Sequence, residues 1–249
     1  MVTVPTSSDI CGKMMDEKKE REARILTAAA TLIVRFGYDK TTVSEIAREA
    51  GVSKGAIYLH FESKEDLFEA LLEREVTAHS KRWFELTERD PGGGSIAAMY
   101  RNTLLALDES PFMSAMFRRD SSVLGSYLKK PDNFFTREGD TNVRYEFVKK
   151  MQEVGAVRDD VDPRIIAHIM NMLAYGLVAI GDVMPAEQIP PTDEVIEGIA
   201  VFMDAALTPP GGADMEGGKR VVRQIMDAYR AKLASVDLAQ SAEQKEDES

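Results

Sequence analysis

The stretch TTVSEIAREAGVSKGAIYLHFESKEDLF, from Thr41 to Phe68, decides how the chain is read. Thr42 stands three residues before Glu45. That is the spacing of a capping box, in which side chain and backbone at a helix start satisfy each other's hydrogen bonds. Val43, Ile46, Ala47 and Ala50 then fall on one face of the helix. Gly51 can take the positive φ that ends a helix and turns the chain. Ser53 caps a second, short helix whose inner face is Ile57 and Phe61, and Ser63 with Asp66 caps a third. Ala47 is small enough to let the second helix cross close above the first, and Ile46, Val52 and Ile57 fill the angle between them. The pattern specifies a helix-turn-helix.

Spacing alone would also fit an α-hairpin inside a bundle, so the outward residues decide. Thr41, Thr42 and Ser44 lie at the start of the first helix, Ser53, Lys54, Gly55 and Ala56 at the start of the second, and Lys64 at the start of the third. Helix N-termini carry free N–H groups and partial positive charge, which favour phosphate. Gly55 and Ala56 leave room for base edges and thymine methyl groups, and Tyr58 and His60 carry hydrogen-bonding tips just beyond. These ten residues form the candidate DNA-contacting set. They let a chain of formal net charge -11 hold a polyanion through local donors rather than bulk charge.

The 249 residues suit one large domain or a small one joined to a medium one, with 44% hydrophobic and 29% charged residues as in an ordinary soluble protein. Cys11 is the single cysteine, so no intramolecular disulfide forms, and the three histidines, His60, His79 and His168, are far apart. No metal site and no cofactor is expected. The N-terminus lacks the apolar core of a signal peptide, and a cytoplasmic setting is expected. Ile165 to Gly181 carries no charge, yet it is shorter than the ~20 residues of a spanning helix and includes His168 and Asn171. We read it as a helix buried in protein, with no membrane.

Apolar stripes recur at helical spacing along the rest of the chain, and no period-two alternation is sustained. The expected fold class is all-α. Residues 1–16 read as a disordered arm and 17–64 as the helix-turn-helix domain. Residues 65–208 read as a larger helical domain, and 209–249 as a linker, an extra helix and an acidic tail. Arg89 to Ser95, RDPGGGS, reads as a flexible break, and Asp162 followed by Pro163 as a helix start. PGGGS lacks the lysine of a phosphate loop, and no nucleophile–base set is evident, so the chain is not read as an enzyme.

The segment from Lys18 to Leu72 resembles the DNA-binding domain of the TetR/AcrR family, the tetracycline-repressor-like regulators. The resemblance is strongest in AGVSKGAIYLHF followed by SKEDLF. It implies an all-helical homodimer whose N-terminal helices hold an operator half-site, with a larger C-terminal domain that dimerises and binds a small-molecule effector. It also implies DNA contacts at Thr42, Ser44, Ser53, Lys54, Gly55, Tyr58, His60 and Lys64. The C-terminal half carries no family motif.

In that half, the helices near 162–181 and 192–207 are the expected dimer pair. The first is apolar nearly all round, which demands cover on most faces. A central helix of a monomer is the other reading. Met99, Phe112, Met113, Met116, Phe117, Phe147, Met151, Met170 and Tyr175 are candidates to line an effector cavity, since methionines adapt to varied apolar ligands. Plain core packing would explain the same stripes. Arg118, Arg119 and Arg144 are candidates to meet an acidic ligand.

Overall fold

The computed structural model describes the backbone of residues 7–137 and 143–247, and the side chains of 16–136 and 143–231. It is helical throughout, with no strand among the described residues. The helices are α1 (Ser7–Phe36), α2 (Val43–Ala50), α3 (Lys54–Tyr58), α4 (Lys64–Arg89), α5 (Ile96–Asp108) and α6 (Pro111–Arg118). They continue as α7 (Ser121–Leu124), α8 (Phe134–Arg137), α9 (Val143–Glu153), α10 (Pro163–Ala179), α11 (Thr192–Leu207) and α12 (Met215–Asp247).

The chain forms two compact units. One comprises Met1–His79 with Ser110–Gly139, and the other Ser80–Glu109 with Asp140–Ser249. The boundary expected after residue 64 therefore lies inside the first unit, because α4 runs unbroken through both and the chain returns to the first unit after α5.

In the first unit α1 supplies Ile25, Ala29 and Ile33, α2 supplies Ile46 and Ala47, and α3 supplies Ile57. They close over Leu67, Phe68, Leu71 and Leu72 of α4. Burying each such large side chain is worth about 1.5–3 kcal/mol. Phe112, Met116, Leu124 and Tyr127 complete the same core from the returning segment. The Phe68 ring lies 4.6 Å from Tyr38 and 4.8 Å from Tyr127, centre to centre. The Tyr127 hydroxyl accepts from the Phe134 amide at 2.8 Å, so a buried phenol is satisfied where it sits.

The second unit pairs α5 with α11 and packs α9 on α10. Met99, Tyr100 and Leu104 of α5, Met151 of α9, Met170 of α10 and Ile196 and Met203 of α11 are buried. Asp162 caps α10 ahead of Pro163, as its sequence required.

Two expectations are corrected. The arm read as disordered is helical from Ser7, since one breaker, Gly12, stands between there and Phe36 and a single glycine costs a helix only about 1 kcal/mol. The glycine-rich breaks are not flexible either. Gly93 and Gly94 are buried, and a Cβ on Gly94 would stand 2.0 Å from the Met215 carbonyl oxygen. One on Gly218 would stand 2.0 Å from the Gly94 carbonyl oxygen. The two glycine runs thus allow backbone to meet backbone, and α12 starts inside the expected linker. Val221, Val222 and Met226 are buried, and Arg230 lies over the Phe84 ring.

Candidate nucleic-acid interface

The turn is built as its residues dictate. Thr42 caps α2: its hydroxyl oxygen accepts from the Glu45 amide at 3.2 Å, while the Glu45 carboxylate accepts from the Thr42 amide at 2.8 Å. Gly51 takes φ 65°, and its amide closes on the carbonyls of Ala47 and Arg48. Ser53 caps α3 by accepting from the Ala56 amide at 3.1 Å.

This construction leaves Ser44, Ser53, Lys54 and Gly55 exposed, Ala56 half-buried and Tyr58 half-exposed. Lys54 Nζ hovers 5.9 Å from the Tyr58 ring centre, which holds both tips on one surface. Arg48, one turn after Ser44 and also exposed, shares that helix face. Sequence reasoning missed Arg48, although its i+4 spacing from Ser44 marks it.

Four of the candidates are placed differently. Thr41 is buried, and its hydroxyl donates to the Gly37 carbonyl at 2.9 Å, so it holds the end of α1. Thr42 is exposed, but its hydroxyl proton goes to Glu45 at 2.7 Å. The two Thr42 hydrogen bonds hold the Glu45 carboxyl below its ordinary pKa. The His60 side chain is 1% exposed and packs toward α1, its Nδ1 3.6 Å from the Glu22 carboxylate, too long for a hydrogen bond. Burial lowers the His60 pKa, Lys18 and Arg21 push the same way, and Glu22 opposes. Lys64 turns inward to Tyr38, and burial lowers its pKa too. The outward-facing set is therefore Ser44, Ser53, Lys54, Gly55, Ala56 and Tyr58, joined by Arg48.

The residues expected to line one cavity divide between the two units. Phe112, Met113 and Met116 belong to the first unit's core, with Phe112 6.2 Å from Phe68, and Phe117 is half-buried on the same helix. Met99, Met151 and Met170 are buried in the second unit, Phe147 stands edge-on to Trp83 at 6.5 Å, and Tyr175 is 53% exposed. These packed stripes are core. A cavity of about 390 Å³ does lie in the second unit, between α10 and α11, and is lined by other residues, among them Leu173, Leu177, Met184, Ile189, Val195 and Ile199. Among the described residues no cluster of His, Cys, Asp or Glu could hold a metal ion.

Residues 25–71, from the buried stripe of α1 through the turn into α4, match the family of bacterial regulatory proteins known as the tetR family. This segment is a DNA-binding domain of the TetR type. The chain is a DNA-binding transcriptional regulator and not an enzyme. A TetR-like match over most of the length is the fatty acid metabolism regulator protein of Bacillus subtilis (strain 168), 28% identical over 185 residues that make up 68% of this chain and 93% of that protein. An uncharacterized HTH-type transcriptional regulator of Bacillus subtilis (strain 168) is 53% identical over 53 residues, 21% of this chain and 17% of that protein. Among solved structures, a TetR-family transcriptional regulator from Rhodococcus sp. superposes with a TM-score of 0.54 at 25% identity, covering 74% of this chain and 98% of that one. The regulator FadR from Bacillus subtilis in complex with stearoyl-CoA superposes with a TM-score of 0.53 at 17% identity, over 73% and 96% of the two chains, and shares the fold.

Proposed function

We propose that the chain is a ligand-responsive repressor that binds a palindromic operator as a homodimer in the cytoplasm and is released by a small, largely apolar effector. The carrying observation is the outward surface of α2 and α3, on which Ser44, Arg48, Ser53, Lys54 and Tyr58 are all exposed. Ser53 accepts from the Ala56 amide and keeps its hydroxyl proton for a phosphate. Gly55 and Ala56 leave the groove side of α3 low enough for base edges to approach. Two such heads about a two-fold axis would enter successive major grooves, roughly 34–36 Å apart.

The dimer reading draws support from α10 and α11. Ile165, Ile169, Met172 and Tyr175 of α10 and Val201 and Phe202 of α11 are all exposed, with Phe202 at 77%. Pro163–Asp182 is long and apolar enough to cross a membrane, and only 22% of its most apolar window is buried. A second subunit laid against these faces would cover them, and no membrane is needed. The effector reading draws on the regulator solved with stearoyl-CoA, whose fold this chain shares.

The test is selection of DNA fragments by the purified chain, followed by gel shift and sedimentation of the complex. Recovery of a two-fold symmetric site bound by two chains is expected. Sequence-indifferent binding, or a chain that sediments as a monomer at micromolar concentration, would overturn the reading.

A further inference from the structure

The cavity between α10 and α11 has walls of one chemical kind. Its volume is about 390 Å³, within the roughly 300–1,000 Å³ of ligand pockets. Leu173 and Leu177 line it from α10, Val195 and Ile199 from α11, and Met184 and Ile189 from the link between the two helices. Among the described residues, Gln188 and Thr192 supply the only polar side chains of its walls, and no charged one lines it. Water has little to hold there, because a buried water needs several polar partners. An ion would lose its hydration and find no counter-charge.

The hollow is distinct from the face left for a second subunit. Of the exposed residues given to that face, Met172 alone lines the cavity, while Ile165, Ile169, Tyr175, Val201 and Phe202 do not. Leu173 and Leu177 are half-buried, and they lie on α10 between that exposed stripe and the buried stripe of Ile166, Met170 and Ala174. Gly176 makes part of the room, since a Cβ built on it would meet nothing within 4 Å. Met172 and Met184 can adjust to the outline of an apolar guest.

We infer that this cavity seats the effector, and that the effector is an uncharged apolar molecule whose few hydrogen-bonding groups are met by Gln188 and Thr192. The inference rests on the ligand-responsive reading and names the seat of its ligand and the ligand's class. The cavity is bounded by α10, α11 and their link, so an occupant sets the spacing of the two helices that carry the proposed dimer face. Ligand binding is thereby coupled to the arrangement of the two subunits, by no more than the ligand's difference in affinity for the two arrangements.

Fluorescence titration of the full chain with N-phenyl-1-naphthylamine and with its 8-sulfonate tests this, because the pair share one ring system and differ by one charge. The neutral amine is expected to bind at least about ten-fold more tightly than the sulfonate. Gly176→Leu places a side chain in the cavity with no overlap at its Cβ and with better helix propensity, so it should melt no lower than wild type. It should weaken amine binding at least about ten-fold, and Val195→Phe, which narrows the cavity from α11, should act alike. No binding of the amine, equal or tighter binding of the sulfonate, or wild-type affinity in both folded variants overturns the inference. Sedimentation tests the rival occupant. Wild type and Gly176→Leu should form the same dimer. Dissociation of Gly176→Leu without amine would show that side chains of a second copy fill the cavity, which also overturns the inference. Gel shifts separate the two readings. The amine should release operator from wild type and not from Gly176→Leu. Equal release from both keeps a ligand-responsive repressor and overturns the seat. Amine binding that Gly176→Leu removes, with operator held as tightly as before, keeps the seat and overturns the ligand-responsive reading.

Discussion

Lys64 Nζ donates to the Tyr38 carbonyl at 2.5 Å and stands 4.1 Å from the centre of the Tyr38 ring. Its charge therefore ties the start of α4 to the turn after α1, instead of reaching toward phosphate. Lys64→Met keeps the aliphatic stem and removes the ammonium. It should lower stability by about 2 kcal/mol, the scale of a hydrogen bond from a charged donor, in urea unfolding. The dependence of DNA affinity on salt should keep its slope. A slope reduced by about one with stability intact would put Lys64 back on the phosphate backbone.

Lys54 and Tyr58 are the converse case. Both are exposed on α3, so Lys54→Ala and Tyr58→Ala should change stability by no more than about 0.5 kcal/mol. Operator affinity should fall by about 1–3 kcal/mol for a residue touching a base, and the salt slope by about one where Lys54 meets phosphate. Wild-type gel shifts for both variants would remove α3 from the interface.

Two glycines with positive φ should differ sharply. Gly51, at φ 65°, has nothing within 4 Å of an added Cβ, so Gly51→Ala should cost only the left-handed strain of about 1–2 kcal/mol. Gly37, at φ 85°, would put a Cβ 2.4 Å from the Ser122 carbonyl oxygen. Gly37→Ala should cost more than about 3 kcal/mol, since strain and overlap add. Equal melting temperatures for the two would contradict the packing of α7 against the end of α1.

Gly94→Ala should loosen α12, because the new methyl would overlap the Met215 carbonyl. A loss of about 2–3 kcal/mol is expected, with early tryptic cleavage at Lys219, Arg220 and Arg223. A variant as protease-resistant as wild type would show that α12 does not depend on this contact.

The pH dependence follows from His60. Burial holds its imidazole below the ordinary value of 6.5, so below that pH the unfolded chain binds the proton first. Its contribution to stability is present in full above the unfolded value and is lost as pH falls toward the folded one. The urea midpoint should drop between about pH 7.5 and about pH 5.5, and His60→Asn should flatten that drop. An unchanged slope in the variant would assign the pH response to other groups.

Local chemistry made much of this legible. The Thr42–Glu45 box, the Gly51 turn, the Ser53 cap and the Asp162–Pro163 start each depend on residues within one turn of each other, and each formed as its spacing required. What could not be read depends on distant partners. Thr41, His60 and Lys64 look outward on a helical wheel and are covered by α1 and the turn after it. Gly94 and Gly218 look like loop residues until each is seen against the other. The Met and Phe stripes did not reveal that a return of the chain sorts them into two cores.

The route of the chain through the first unit bears on its birth. The reading head precedes its own packing partners in the chain: Phe68 waits for Phe112 and Tyr127, which lie beyond a whole helix of the other unit. A nascent chain halted at Glu109 would carry the turn and its caps but leave the aromatic cluster beneath them open. The part that meets the gene thus emerges from the ribosome ahead of the residues that complete its core, and must be held safe from wrong partners until Leu128 follows it out.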